Sequence, residues 1–252
     1  MNRREFSNGL IETVVSYSLI DSLFVSNVFA KNIKPMAKHW ALSLNECCAD
    51  LKKESISPLE WQNHIQQLYK KIELRELLQF IDFENLTKGF NYPDFGVNTK
   101  PVKFPKLNGL PEKTVFVKKI FGMKRDRAII PHGHSNMASA HLIIGGQMHL
   151  RNYEKINQEG DKHLIIKPTL DKTTGLGESS TISDEKDNIH WFVANTARAF
   201  TFDVIMLDLQ GKPCDIHNIG IEKKQNLADG MLRVPILDVE AALKKYGKQT
   251  HH

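Results

Sequence analysis

No stretch of this chain is long and apolar enough to cross a membrane as a helix, which takes about 20 consecutive apolar residues. Cysteine is nearly absent: Cys47, Cys48 and Cys214 are the three the chain has. An odd number, with two of them sequence neighbours that would point to different sides of a helix, speaks against a disulfide framework. Nor is there a C-x-x-C pair of the kind used for structural zinc. Any metal must therefore rely on histidine. Positive charge is in slight excess, with 34 Lys and Arg against 29 Asp and Glu and a pI near 9.0, but no basic run of five or more residues occurs. Charge scattered in this way argues against nucleic acid as a partner.

The 252 residues, 41% hydrophobic and 25% charged, have the composition of an ordinary globular protein with enough core to need no staples. Residues 1–30 start on Arg3 and Arg4, continue through an apolar stretch and reach Val28-Phe29-Ala30, a small-residue cleavage pattern. This resembles a twin-arginine export signal and implies a periplasmic protein. Glu12 and Asp21 interrupt the apolar part, so the alternative is an amphipathic N-terminal helix on a cytoplasmic protein. Residues 31–90 read as helical. In SPLEW, Ser57 is placed to cap, Pro58 to occupy the first helical position and Glu60 to complete a capping box, followed by Trp61, Ile65, Leu68 and Tyr69 at helical spacing.

Residues 91–112 carry four prolines without periodicity and read as a connector. From 113 to 210, short segments rich in Val, Ile, Thr and Phe alternate with turn residues, the pattern of an all-β sandwich or barrel. Residues 211–252 form an extension with a helix at DVEAALKKYG, which Asp238 can start and Gly247 can end. The terminal His251 and His252 are set aside, because a purification tag leaves the same residues.

PHGHSNMASAH, residues 131 to 141, gathers three of the eleven histidines. In an extended strand His132 and His134 face the same side with α-carbons roughly 6.5 to 7 Å apart, so both imidazoles can reach one ion. The third ligand is expected from another strand, His190 in DNIHWFVAN. Three neutral imidazoles suit Fe, Zn, Ni or Cu far better than Mg or Ca. His141 is expected to orient a ligand, and His149, after a Gly-Gly turn, to reach the cavity. Ser139 can hydrogen-bond a metal-bound water or a substrate, or simply leave room for one. Arg151 and Tyr153 share the face of His149 by period 2. On an inward face, Arg151 would pair with a substrate carboxylate and Tyr153 would donate a hydrogen bond; on an outward face neither would.

His132-Gly133-His134, then four residues, Ser139, six more residues and Gly146, resembles the first motif of the cupin superfamily, with serine where that motif carries glutamate and Asp126 where it starts on glycine. The resemblance covers residues 113–210 and implies a mainly β, RmlC-like jelly-roll barrel, here with a helical N-terminal region and a short C-terminal helix. Without the glutamate, the pattern is similar to the three-histidine thiol dioxygenases. PHGHSNM is similar to a stretch of cysteamine dioxygenases and plant cysteine oxidases, NIHWFVAN to their N-I-H segment, and AFTFDVIMLDL to a strand containing Leu-Asp-Val. Most of the chain also resembles a group of bacterial cupin-domain proteins with twin-arginine starts. The resemblance implies Fe(II) on His132, His134 and His190, O₂ and a small-molecule substrate such as a thiol as partners, and a homodimer. The alternative is a non-catalytic cupin that binds a metal or ligand.

Export has a direct check. Mass spectrometry of the protein from its own host should show a chain that starts near Lys31; an intact segment from Met1 to Ala30 on the functional protein would favour the amphipathic helix.

Overall fold

The structure, a computed structural model, describes residues 35–249. The Arg3-Arg4 start, Val28-Phe29-Ala30 and the terminal histidines lie outside the described residues. Four helices come first: α1 (Pro35–Lys52), α2 (Pro58–Lys71), α3 (Leu74–Phe80) and α4 (Phe83–Thr87). The start of α2 is set locally. The Ser57 hydroxyl accepts from Glu60 N at 3.2 Å and the Glu60 carboxylate accepts from Ser57 N at 2.8 Å, which satisfies two amides at the free end of the helix. Trp61, Ile65 and Tyr69 then fall on one buried face.

The strands are β1 (Asn98–Pro101), β2 (Val117–Lys124), β3 (Ala128–Ser135), β4 (Ala138–Gly145), β5 (Met148–Glu159), β6 (His163–Thr174), β7 (Ser179–Ser183), β8 (Ile189–Ala194), β9 (Arg198–Met206), β10 (Asp215–Ile219), β11 (Gln225–Asn226) and β12 (Leu232–Leu237). One sheet runs β1-β2-β9-β4-β7 and the other β10-β3-β8-β5-β6-β12-β11. The eight strands β2 to β9 make the antiparallel orders β2-β9-β4-β7 and β3-β8-β5-β6, with the chain crossing between sheets at every step except β5 to β6. That strand order is the jelly roll expected of a cupin barrel.

The first sheet is buried on both faces. Its outer side chains, among them Ile120, Leu142, Phe200 and Phe202, pack under Trp40, Leu44, Trp61 and Ile65 of α1 and α2. Gln62 of α2 ties the layer down by donating to Thr181 O at 2.9 Å and accepting from the Ser183 hydroxyl at 2.7 Å. Between the sheets lie Met123, Ile129, Ile143, Met148, Leu150 and Phe192. The outer face of the second sheet carries Tyr153, Trp191 and Val193, with Trp191 edge-on to Tyr246 of the C-terminal helix α5 (Val239–Tyr246).

Two sequence expectations change. The connector over 91–112 contains β1, which extends the first sheet beyond β2. The extension over 211–252 holds α5 but also β10, β11 and β12, which widen the second sheet. Gly247 does end α5, though not in a left-handed conformation: its φ is −67°. A β-carbon there would fall 2.5 Å from Leu243 O and 3.1 Å from Gly96 N, so the residue is small because the connector packs against it. Gly96 N donates to Gly247 O at 2.7 Å.

Gly122 holds the helical layer close to the first sheet in a comparable way. A β-carbon there would lie 2.6 Å from the ring of Phe200 and 2.7 Å from that of Phe90, both buried. Gly122→Ala should cost about 1 to 3 kcal/mol through overpacking. Urea denaturation measures this, and an unchanged midpoint would show that the two rings yield.

Candidate metal centre

The histidine pair owes its direction to an irregularity in β3. Ala128 lies opposite Val193 and Ile129 opposite Phe192, but the next pair in register is His132 opposite His190. Three residues are used on β3 for two on β8, which is a one-residue bulge at Ile130 and Pro131. Proline suits such a place because it has no N–H to give the ladder. Regular alternation would have put Pro131 opposite His190 and turned His132 outward. The bulge instead brings His132 and His134 onto the interior face with His190.

Gly133 between them allows a close approach: a β-carbon would sit 2.5 Å from His217 Nε2 and 2.8 Å from Asn188 Oδ1. Asn188 in turn clamps the strand, accepting from His134 N at 3.3 Å and donating to His134 O at 2.8 Å.

The ligand atoms of His132, His134 and His190 lie within 4.8 Å of one another. His132 and His190 face each other through their Nε2 atoms at 3.1 Å, close to the separation of two imidazole nitrogens sharing one ion at about 2.1 Å each. Nδ1 of His132 donates to Ile130 O at 2.7 Å, which leaves its Nε2 lone pair free. Both ring nitrogens of His134 and Nδ1 of His190 are buried without a hydrogen-bond partner. Burial pushes His132 down to about 4 and holds His134 and His190 well below the usual histidine range, with the neighbouring imidazoles adding to the effect. Three neutral rings with inward lone pairs and orphaned nitrogens are a donor set that fits a transition metal.

Ser139 and His141 on β4 lie beside the trio. The Ser139 hydroxyl is 3.0 Å from His141 Nε2, and His141 Nδ1 is 2.6 Å from Asp203 Oδ2 on β9; all three residues are buried. A carboxylate only accepts, so Nδ1 carries a proton toward Asp203 and Nε2 is turned to the Ser139 hydroxyl. The His141 ring centroid is 4.7 Å from that of His190. This places His141 where it can orient the third ligand.

Asp203 was not among the sequence candidates, nor was Lys119, its buried cross-strand neighbour, whose amine burial holds below the usual lysine range against the pull of Asp203. Their signal was parity: Thr201 and Asp203 alternate with Phe200 and Phe202 along one strand. Asn152, opposite His190 on β5, is a further buried interior residue; it donates to the Ser180 hydroxyl at 3.0 Å.

The face shared by His149, Arg151 and Tyr153 points away from the barrel interior, because Asn152 is the residue opposite His190 and Arg151 is opposite Trp191. Arg151 lies over the Trp191 ring and donates to Asp171 at 3.2 Å, while His149 bonds the other oxygen of Asp171. Tyr153 is buried in the outer cluster with Trp191. The outward alternative therefore applies: none of these three lines the cavity. That cavity, about 390 Å³, is bounded by His132, His134, His190, Ser139 and His141 at its inner end.

No family model matches the chain, and no curated protein does. Among solved structures it is similar to procruciferin, an 11S globulin from Brassica napus, at 12% identity and a TM-score of 0.30 over 40% of this chain and 22% of that one. It is also similar to KdgF from Halomonas sp., at 13% and 0.32 over 47% and 86% of the two chains, and to an oxalate oxidase, at 10% and 0.34 over 49% and 56%. At such values the jelly-roll assignment rests on the strand order itself.

The depressed histidines set a pH dependence in the metal-free protein. Unfolded, each would titrate near 6.5, so between about 4 and 6.5 the unfolded chain binds more protons than the folded one. Stability therefore falls as pH drops through that window. Thermal denaturation in a chelator should show a larger loss for the native sequence than for His132→Gln, and equal slopes would contradict the neutral burial of His132.

Proposed function

We propose that this chain is a metal-dependent cupin acting on a small molecule, an Fe(II) three-histidine oxygenase for which thiol oxidation is the favoured reaction. The observation that supports this most directly is the junction of three neutral imidazoles, His134 and His190 buried and His132 half-buried, with a cavity of about 390 Å³ and no carboxylate among the grouped ligands. Fe(II) bound by three neutral rings keeps its full charge and open positions for an anionic ligand and O₂. Zn(II) on the same ligands would favour hydrolysis.

The protein's own part is positional. The bulge in β3 and Asn188 hold the two β3 histidines inward, and Asp203 fixes the ring of His141. The Ser139 hydroxyl, 3.0 Å from His141 Nε2, faces the cavity beside the grouped histidines. Apolar walls at Ile129, Phe121 and Ile205 limit water around the reacting groups.

Metal analysis of untagged protein, combined with oxygen uptake over a panel of thiols, tests the reading. Stoichiometric iron with uptake is the expected result, whereas full occupancy without turnover would leave a non-catalytic binder. His132→Ala, His134→Ala and His190→Ala should each lose bound metal. His141→Ala should retain it with affinity weakened about 10 to 100-fold. If His190→Ala kept metal and His141→Ala lost it, the third ligand would be His141.

A further inference from the structure

The cavity has two chemically different ends. Its inner end carries the three histidines, Ser139 and His141. Its walls and outer rim are mostly apolar, with Phe121, Ile129, Ile205, the connector residues Phe95 and Val97, and Val239 and Leu243 of α5, and their polar members Asn98, Thr99 and Asn218 are uncharged. Val239 and Leu243 are four residues apart and so share one helix face, while Phe95, 52% exposed, marks the solvent side. Among the described residues that line the cavity there is no Asp, Glu, Lys or Arg. Charged groups near the barrel do not line it: Arg151 lies outside over Trp191, and Lys119 and Asp203 are cross-strand neighbours off the cavity lining.

We propose, building on the metal-centre reading, that the occupant is a small molecule with one metal-coordinating head and an uncharged, apolar tail that points to the rim between the connector and α5. The head meets the centre beside the Ser139 hydroxyl. Beyond it, an ammonium or carboxylate would give up water for mostly apolar walls without a countercharge, which disfavours amino acids and other zwitterions. An alkyl or aryl tail gains from the same walls, and each added methylene raises affinity about 3 to 4-fold until the space is filled. Selectivity here comes from an unfavourable environment for charge as much as from contact with the tail.

The test uses the full chain loaded with Co(II), whose visible spectrum reports a thiol at the metal without turnover. Ethanethiol, butanethiol and hexanethiol, titrated anaerobically, should bind with affinity rising about 3 to 4-fold per methylene, and cysteine and cysteamine should bind at least about 10-fold more weakly than propanethiol. Leu243→Arg should weaken hexanethiol and strengthen 6-mercaptohexanoate, because it sets a cation at the rim. If Co(II) loads and cysteine binds as well as propanethiol, the apolar-tail assignment is overturned while the metal centre stands. If Co(II) does not load, the metal reading fails, and the tail is judged on metal-free protein by ligand-observed NMR with 1-hexanol and hexanoate. Binding of the alcohol alone would support it, and no preference between the two would overturn it.

Discussion

Everything at the inner end of the barrel depends on one extra residue in one strand. Antiparallel pairing fixes which residues are opposite, and a strand's period of two fixes which face each takes, so a single added residue exchanges the faces beyond it. The bulge at Ile130 and Pro131 makes that exchange just before the histidine pair. Ile129 faces the interior before it, and His132 and His134 face the interior after it. The local rule is broken where function gains from it, and Pro131 is a residue for which leaving the ladder has little cost.

The placement of polar groups follows from what covers each sheet. Helices lie over the outside of the first sheet, so its outward positions are the aromatic and aliphatic ones, Phe200, Phe202, Leu142 and Ile144. Its inward positions are then free to carry Ser139, His141, Thr201 and Asp203. Buried groups of that kind are tolerated when they satisfy one another. The Ser139–His141–Asp203 chain does so in part across β4 and β9, leaving Asp203 Oδ1 and Thr201 Oγ1 without a partner, and the same burial keeps the neighbouring imidazoles neutral and able to bind metal.

Features with local causes were legible in the sequence: the capping box at Ser57 and Glu60, the common face of His132 and His134, and the many short strands. The jelly roll could be expected because the H-x-H spacing carries a family resemblance. Period-two reasoning also grouped His149, Arg151 and Tyr153 on one face. It could not say which face, because alternation relates residues to each other and not to the barrel axis. For the same reason Asp203 was missed: in AFTFDVIM the aromatic positions read as the inner ones, and only the helical layer reverses that order. Strand β12 was hidden by Pro235, a residue that ordinarily argues against a sheet interior, and β1 by Pro101 at its end.

The hydrogen bond from Gly96 N to Gly247 O joins the two segments of the rim across almost the whole barrel sequence. Contacts between residues so far apart are assembled late, since the intervening chain must be ordered before they close. During synthesis the two strands that carry the three histidines, β3 and β8, are complete well before α5 leaves the ribosome. All three ligands are therefore synthesised before the helix that closes their mouth, and α5 sets when the cavity acquires its final shape.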